Sequence, residues 1–234
     1  MLCKDLARNS ELDWVKSGLR FLDGSVDLAG NRIGFVSYPR TGNTMTRGYL
    51  EAITGIHTGS NMSLILTSNF QISGMGGEDH TCADNDIWVT KTHWPYDLPD
   101  ETEFEADRAL VITRNPIDVM ASQFYMNQLG GHSMTSVEKV NEVFPAEWDA
   151  WIRGKIPVFK AYHERVIELL AAQVPVYFLR YEDQTSIARQ TTTEFFKFIL
   201  DSPEIDGTVL QHRIDEVTKE SHEKRTTVYK LKSS

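Results

Sequence analysis

The stretch "GFVSYPRTGNTMTRGYLEAITG", Gly34 to Gly55, restricts the fold more than any other part of the chain. An apolar run meets a short polar turn, and helical spacing follows at once. Met45, Tyr49, Leu50 and Ile53 recur at that spacing from Thr44 onward, and Gly55 supplies a stop. A strand that turns straight into a helix is the way a chain builds a phosphate cradle. Pro39 stiffens the strand exit. Gly42 can take a positive φ and lets backbone close on a ligand. Asn43, Thr44 and Met45 would offer unpaired N–H groups at the helix start. Arg40 adds a fixed cation with a donor fork suited to phosphate or sulfate, and the hydroxyls of Thr41 and Thr44 add further donors. The Gly-x-x-x-x-Gly-Lys-Ser/Thr signature of nucleoside triphosphatases is absent. Taken alone, the turn could equally be a plain strand-to-helix connection with Thr as its cap.

The remaining elements alternate. "RIGFVSY" reads as a buried strand, with a helix or turn and a Gly- and Asp-rich loop before it (residues 11–30). Asp86–Lys91, Arg108–Thr113 and Pro175–Tyr181 read as further strands. Helices are expected from Pro116 to about Asn127, from Val158 to Ala172 and over 186–200, Pro116 fitting a first turn. Residues 57–86 read as an irregular excursion, 128–150 as a loop or lid, and the tail from Asp206 as mostly charged. Strands alternating with helices predict an α/β three-layer sandwich around a central parallel sheet. The 234 residues fit one domain spanning 1–234, with a core at about 32–200 and acceptor segments at 57–86, 94–107 and 127–151.

Composition narrows the partners. A hydrophobic fraction of 41% and a charged fraction of 24% are ordinary for a globular protein. No run approaches the roughly 20 apolar residues that span a bilayer, and the first residues lack a secretory pattern. Cys3 and Cys82 make neither a disulfide framework nor a zinc cluster, so a cytoplasmic protein is expected. A net charge of -9 argues against nucleic-acid binding while leaving room for a locally basic anion pocket.

Parallel sheets bind ligands beyond the carboxyl ends of their strands. Three polar motifs are expected there. "YPRTGNT" follows the first strand. "KTHWP" follows the second, where His93 could take a proton from an attacking hydroxyl and Lys91 could steady a developing negative charge. "RNP" follows the third, where Arg114 with Ser122, two turns into the next helix, could grip a second phosphate. The acidic residues between Asp97 and Asp107 have no metal-ligand spacing and read as a solvated loop. Phe144, Trp148 and Trp151 read as packing residues, and the other six histidines as surface or structural.

Together these motifs resemble the PAPS-dependent sulfotransferase family (PAPS is 3′-phosphoadenosine 5′-phosphosulfate), from about Arg32 to Leu200. "YPRTGNTMTR" looks like the family's 5′-phosphosulfate loop, usually Tyr-Pro-Lys-Ser-Gly-Thr-Thr-Trp. "KTHWP" looks like the Lys-Thr-His-x-Pro segment of the cytosolic, small-molecule branch. "RNPIDVMASQFY" looks like the 3′-phosphate segment, and "VYFLRYED" like the later strand whose Tyr, here Tyr181, lies on the adenine side. The resemblance implies in-line attack of an acceptor hydroxyl or amine on the sulfur of PAPS, with no metal required. His93 would be the base, and Arg40 would stand where the family usually has Lys. The 5′-phosphate would lie on the loop N–H groups, and adenosine 3′,5′-bisphosphate would leave. The Arg-Lys-Gly and Gly-Asp-Trp-Lys-Asn elements of the family's C-terminus are absent; Lys224 and Arg225 are the local substitutes for the 3′-phosphate. The dimer motif of the cytosolic branch is not matched either, so the resemblance does not extend to its dimer. The expected partner is a small-molecule acceptor, polar or cationic with some ring character. Two rival readings remain: a P-loop kinase using ATP and Mg²⁺, and a nucleotide-binding regulator without catalysis. The missing Gly-Lys-Ser/Thr speaks against the first, and His93 against the second.

Overall fold

The computed structural model describes residues 20–22, 27–61, 86–95, 105–129, 145–170 and 173–219. Lys224, Arg225 and most of the 57–86 segment lie outside them, as do parts of the two other acceptor segments.

Five strands form one sheet: β1 (Ile33–Ser37), β2 (Gly59–Ser60), β3 (Val89–Thr92), β4 (Arg108–Thr113) and β5 (Val176–Arg180). Their spatial order is β2-β3-β1-β4-β5, and every pairing is parallel. β1 is buried along its whole length, as expected of a central strand covered on both faces. The helices are α1 (Asn43–Thr54), α2 (Pro116–Leu129), α3 (Pro145–Leu170), α4 (Tyr181–Ser186), α5 (Ala188–Ile199) and α6 (209–219).

Strand alternation sorts the core into two layers. Ile33, Phe35, Leu110, Ile112 and Leu179 pack with Leu50 and Ile53 of α1, Phe195 and Phe196 of α5, and Leu210 and Ile214 of α6. Val36, Ala109 and Val111, the alternate positions, pack with Val119 and Phe124 of α2 and Trp148, Tyr162 and Val166 of α3. The architecture is the three-layer α/β sandwich that the sequence predicts. Two-residue β2 emerges inside the stretch expected to be irregular. α3 begins at Pro145, thirteen residues before the expected start, and takes over the end of the expected lid. Pro157 lies inside α3, directly before the expected start at Val158. The charged tail also contains α6, with Leu210 and Ile214 turned into the core.

The order places the site. From β1 the chain moves to β2 and β3 on one side, then crosses to β4 and β5 on the other. The carboxyl end of β1 is therefore a switch point, the place where α/β sheets open a crevice.

Candidate active site

Four of the five strands deliver a polar residue of the predicted motifs just past their ends. Arg40 follows β1 by three residues; His93, Arg114 and Tyr181 immediately follow β3, β4 and β5. The sheet register therefore brings segments far apart in sequence to one edge.

The turn after β1 is built on left-handed backbone. Arg40 has φ 74° and Gly42 has φ 108°. Gly42 is the N-cap of α1, and no side chain caps that end. The amides of Gly42, Asn43 and Thr44 have no acceptor among the described residues, whereas Met45 N donates to Gly42 O at 3.1 Å. Three unpaired N–H groups at a helix start, beside two arginines, suit an anion. Two expectations are corrected: the Met45 N–H, expected to be open, is paired within the turn, and the Thr41 hydroxyl, expected to face the anion, turns inward. Thr41 is fully buried, and its hydroxyl donates to Tyr38 O at 2.7 Å, closing the turn. Asn43 directs its side-chain amide into the core, donating to Ser37 Oγ at 2.8 Å.

The first and third motifs meet. Arg40 Nε donates to Ser122 Oγ of α2 at 3.0 Å, and Arg114 Nη1 donates to Arg40 O at 3.1 Å. The Arg114 guanidinium lies 4.2 Å from the centre of the Tyr181 ring, within cation–π range. Its Nε is buried without a hydrogen-bond partner among the described residues. Burial and the nearby Arg114 cation both lower the Arg40 pKa. Two cations held this close, with a donor left open, favour bound negative charge. Tyr181 also closes on the turn: a Cβ built on Gly42 would lie 2.8 Å from Tyr181 Cε2. α4 is anchored there by a bond from Thr46 Oγ1 to Gln184 Oε1 of 2.8 Å.

His93 is buried at the end of β3. Its Nδ1 lies 2.6 Å from Ser37 O. A carbonyl oxygen only accepts, so Nδ1 carries the proton and Nε2 of the neutral ring has the lone pair. Desolvation, with the Lys91 cation adding to it and the Ser37 carbonyl partly opposing both, lowers its pKa to about 3. Lys91 is itself buried in β3. Tyr162 of α3 donates to Trp94 O at 3.1 Å and so packs α3 against the segment after His93.

Sequence reasoning missed a buried polar clamp next to this edge. Arg47, in α1, donates from Nε to Thr58 Oγ1 at 2.6 Å and from Nη2 to Thr58 O at 2.9 Å. Glu51 Oε1 accepts from Thr58 N at 2.9 Å and Thr58 Oγ1 at 2.7 Å. Arg47 and Glu51 are one helical turn apart, the only trace the sequence gives of the pair. Burial lowers the Arg47 pKa to about 10, against the opposing pull of Glu51. The clamp fixes the start of β2, whose Ser60 pairs with Lys91.

Among the described residues no helix is long and apolar enough to cross a membrane, and no group of three or more His, Cys, Asp or Glu could hold a metal ion. The family model described as "Sulfotransferase domain" matches residues 31–230. The chain belongs to the sulfotransferase family, and sulfuryl transfer is the general activity this membership supports. Among solved structures, the chain is similar to mouse sulfotransferase SULT7A1 complexed with PAP, at 16% identity and a TM-score of 0.47. That match covers 94% of this chain and 72% of the mouse chain. No curated protein matches.

Proposed function

We propose that this sulfotransferase moves the sulfuryl group of PAPS to a hydroxyl or amine of a small, polar or cationic acceptor, with His93 as general base. The observation behind this reading is the held tautomer of His93, one residue beyond β3 and on the strand-end edge that carries the open turn amides. PAPS supplies the activated sulfuryl group. The amides of Gly42, Asn43 and Thr44 receive the 5′-phosphate. Arg114 and Ser122 receive the 3′-phosphate, and Tyr181 borders the base.

His93 Nε2 takes the acceptor's proton as the acceptor oxygen or nitrogen bonds to sulfur. The bond from sulfur to the bridging oxygen breaks, and its electron pair stays with that oxygen. Arg40 stabilises that charge electrostatically, since a guanidinium does not give up its proton; Lys91 adds a second cation. The Arg40–Ser122 bond links the two phosphate-binding ends, and phosphate oxygens replace it when nucleotide enters. A base with a pKa near 3 is neutral and ready but weak. Negative charge bound beside it raises that pKa, so the base strengthens once the anion is in place. A positioned base contributes roughly 10²–10⁴-fold.

The test pairs His93→Ala with a screen of acceptors and labelled PAPS. Expected are loss of turnover by at least about 100-fold and unchanged binding of adenosine 3′,5′-bisphosphate. Full turnover in His93→Ala would remove the base. A thermal shift with ATP and Mg²⁺ alone would replace PAPS by a kinase nucleotide, and label found only in polysaccharide or protein would rule out a small acceptor.

A further inference from the structure

Ser37 ends β1, Asn43 opens α1 and His93 follows β3. Their side chains form one buried chain: Ser37 is 0% exposed, Asn43 and His93 8% each. Asn43 Nδ2 donates to Ser37 Oγ at 2.8 Å, and His93 Nδ1 lies 3.3 Å from that oxygen and 2.6 Å from the Ser37 carbonyl. We propose that Ser37 and Asn43 are positioning residues that hold His93 in its Nδ1–H tautomer and tie it to the phosphosulfate turn. This rests on the reading of His93 as the base.

The argument is one of hydrogen-bond directions. The carbonyl of Ser37 accepts the Nδ1 proton. The hydroxyl of the same residue is a second, longer acceptor for it, and the two together restrict the tilt of the ring. A serine hydroxyl, however, can also donate. If Ser37 turned its proton toward Nδ1, the imidazole would take the opposite tautomer. The proton would then sit on Nε2, and no lone pair would face an acceptor. Asn43 works against this outcome. Its Nδ2–H fills one lone-pair direction of Ser37 Oγ while Nδ1–H fills another, so the hydroxyl proton is left the direction away from the ring. The same Asn43 presents its backbone amide, without an acceptor among the described residues, at the start of α1. A single residue thus bears on the anion with its main chain and on the base with its side chain. A histidine base in the wrong tautomer loses most of its catalytic contribution, because orientation and lone pair are lost together.

The experiment has two readouts. Long-range ¹H–¹⁵N correlation spectra of protein labelled at histidine report each ring's tautomer, and His93 is assigned by the signal lost in His93→Gln. The expected wild-type pattern is Nδ1–H with a bare Nε2; an Nε2–H pattern overturns the proposal. In Asn43→Ala, where the Ser37 hydroxyl is free to donate to the ring, the pattern should become mixed. Ser37→Ala keeps the carbonyl and should retain Nδ1–H on a less restrained ring. In both, kcat should fall about tenfold or more, a part of the base's contribution. Binding of adenosine 3′,5′-bisphosphate to Ser37→Ala should change by less than about twofold. Because the residues act in series, Asn43→Ala should cost little further in the Ser37→Ala background. Fully additive losses, or an unaltered tautomer in Asn43→Ala, overturn the proposal. Asn43→Ser serves if Asn43→Ala does not fold. Full turnover by His93→Ala, with the Nδ1–H pattern present in the wild type, instead removes the base and leaves the ring's positioning standing.

Discussion

Gly42 meets two demands at one position. Its φ of 108° is open to glycine and costly for other residues, and the Tyr181 ring fills the space a Cβ would need. Gly42→Ala should therefore lower stability by about 1–3 kcal/mol and weaken adenosine 3′,5′-bisphosphate binding, read by denaturant unfolding and by titration. An alanine variant that binds normally would show that the turn can shift without cost. His93 supplies a pH dependence of defined sign. Its pKa falls from 6.5 to about 3 in the native chain. Between those values the unfolded state binds a proton that the native state refuses. The contribution is full above about 6.5 and is lost as pH falls toward 3, by at most about 1.4 kcal/mol per pH unit. The urea midpoint should drop more steeply with acid in wild type than in His93→Gln. Much of this site was legible residue by residue: Arg40, Gly42, His93, Arg114 and Ser122 stand beside strand ends that Gly, Pro and apolar runs mark plainly. The hydrogen-bonding destinations of Thr41, Asn43 and Ser37 were not. The Ser37–His93 contact spans 56 residues, and no local pattern records a pairing created by sheet register.

At the scale of elements, the clamp on Thr58 ties α1 to the start of β2. Arg47 and Glu51 are both buried, with side-chain exposures of 1% and 5%. Removing one charge strands the other away from water. Arg47→Met should cost about 3–5 kcal/mol in chemical denaturation. The Arg47→Met, Glu51→Gln pair should cost less than the sum of its parts, because neither change then leaves an uncompensated charge. A cost below about 0.5 kcal/mol for Arg47→Met would mean that the clamp is solvated. Element boundaries were most legible where glycine or proline sits at a true end. α1 runs from the Gly42 cap to the Gly55 cap, and Pro116 opens α2 with Asn115 Oδ1 accepting from Ile117 N at 2.9 Å. They were least legible where proline sits inside a helix. Tertiary packing overrides Pro157, since Trp148 before it and Tyr162 after it share one core layer. α6 hid behind its charges. Its apolar residues Leu210, Ile214 and Val217 keep helical spacing, a period easily lost among many Asp, Glu, Arg and Lys.

The whole molecule sets a small cationic site within a chain of net charge -9. Attraction of a multiply charged nucleotide therefore depends on Arg40 and Arg114 at short range, while the rest of the surface repels it. Added salt screens both terms, and the short-range one less. Ligand saturation should show in the melting curve: adenosine 3′,5′-bisphosphate at 100 times its Kd should add about 2.7 kcal/mol. Arg114→Ala should lose most of that shift at the same concentration. A full shift in the variant would move the 3′-phosphate elsewhere. The parallel sheet has a further consequence, in time. β1 is made well before β4 yet lies in the middle, and its flank is tied to β4 by a bond from Arg32 N to Asp107 Oδ2 across 75 residues. At about 5–20 residues per second, synthesis leaves that apolar strand waiting about 4–15 s for the second of its two neighbours. The newborn chain thus carries its phosphate turn on a strand paired along at most one edge, and chaperone demand on the ribosome should fall once β4 has emerged.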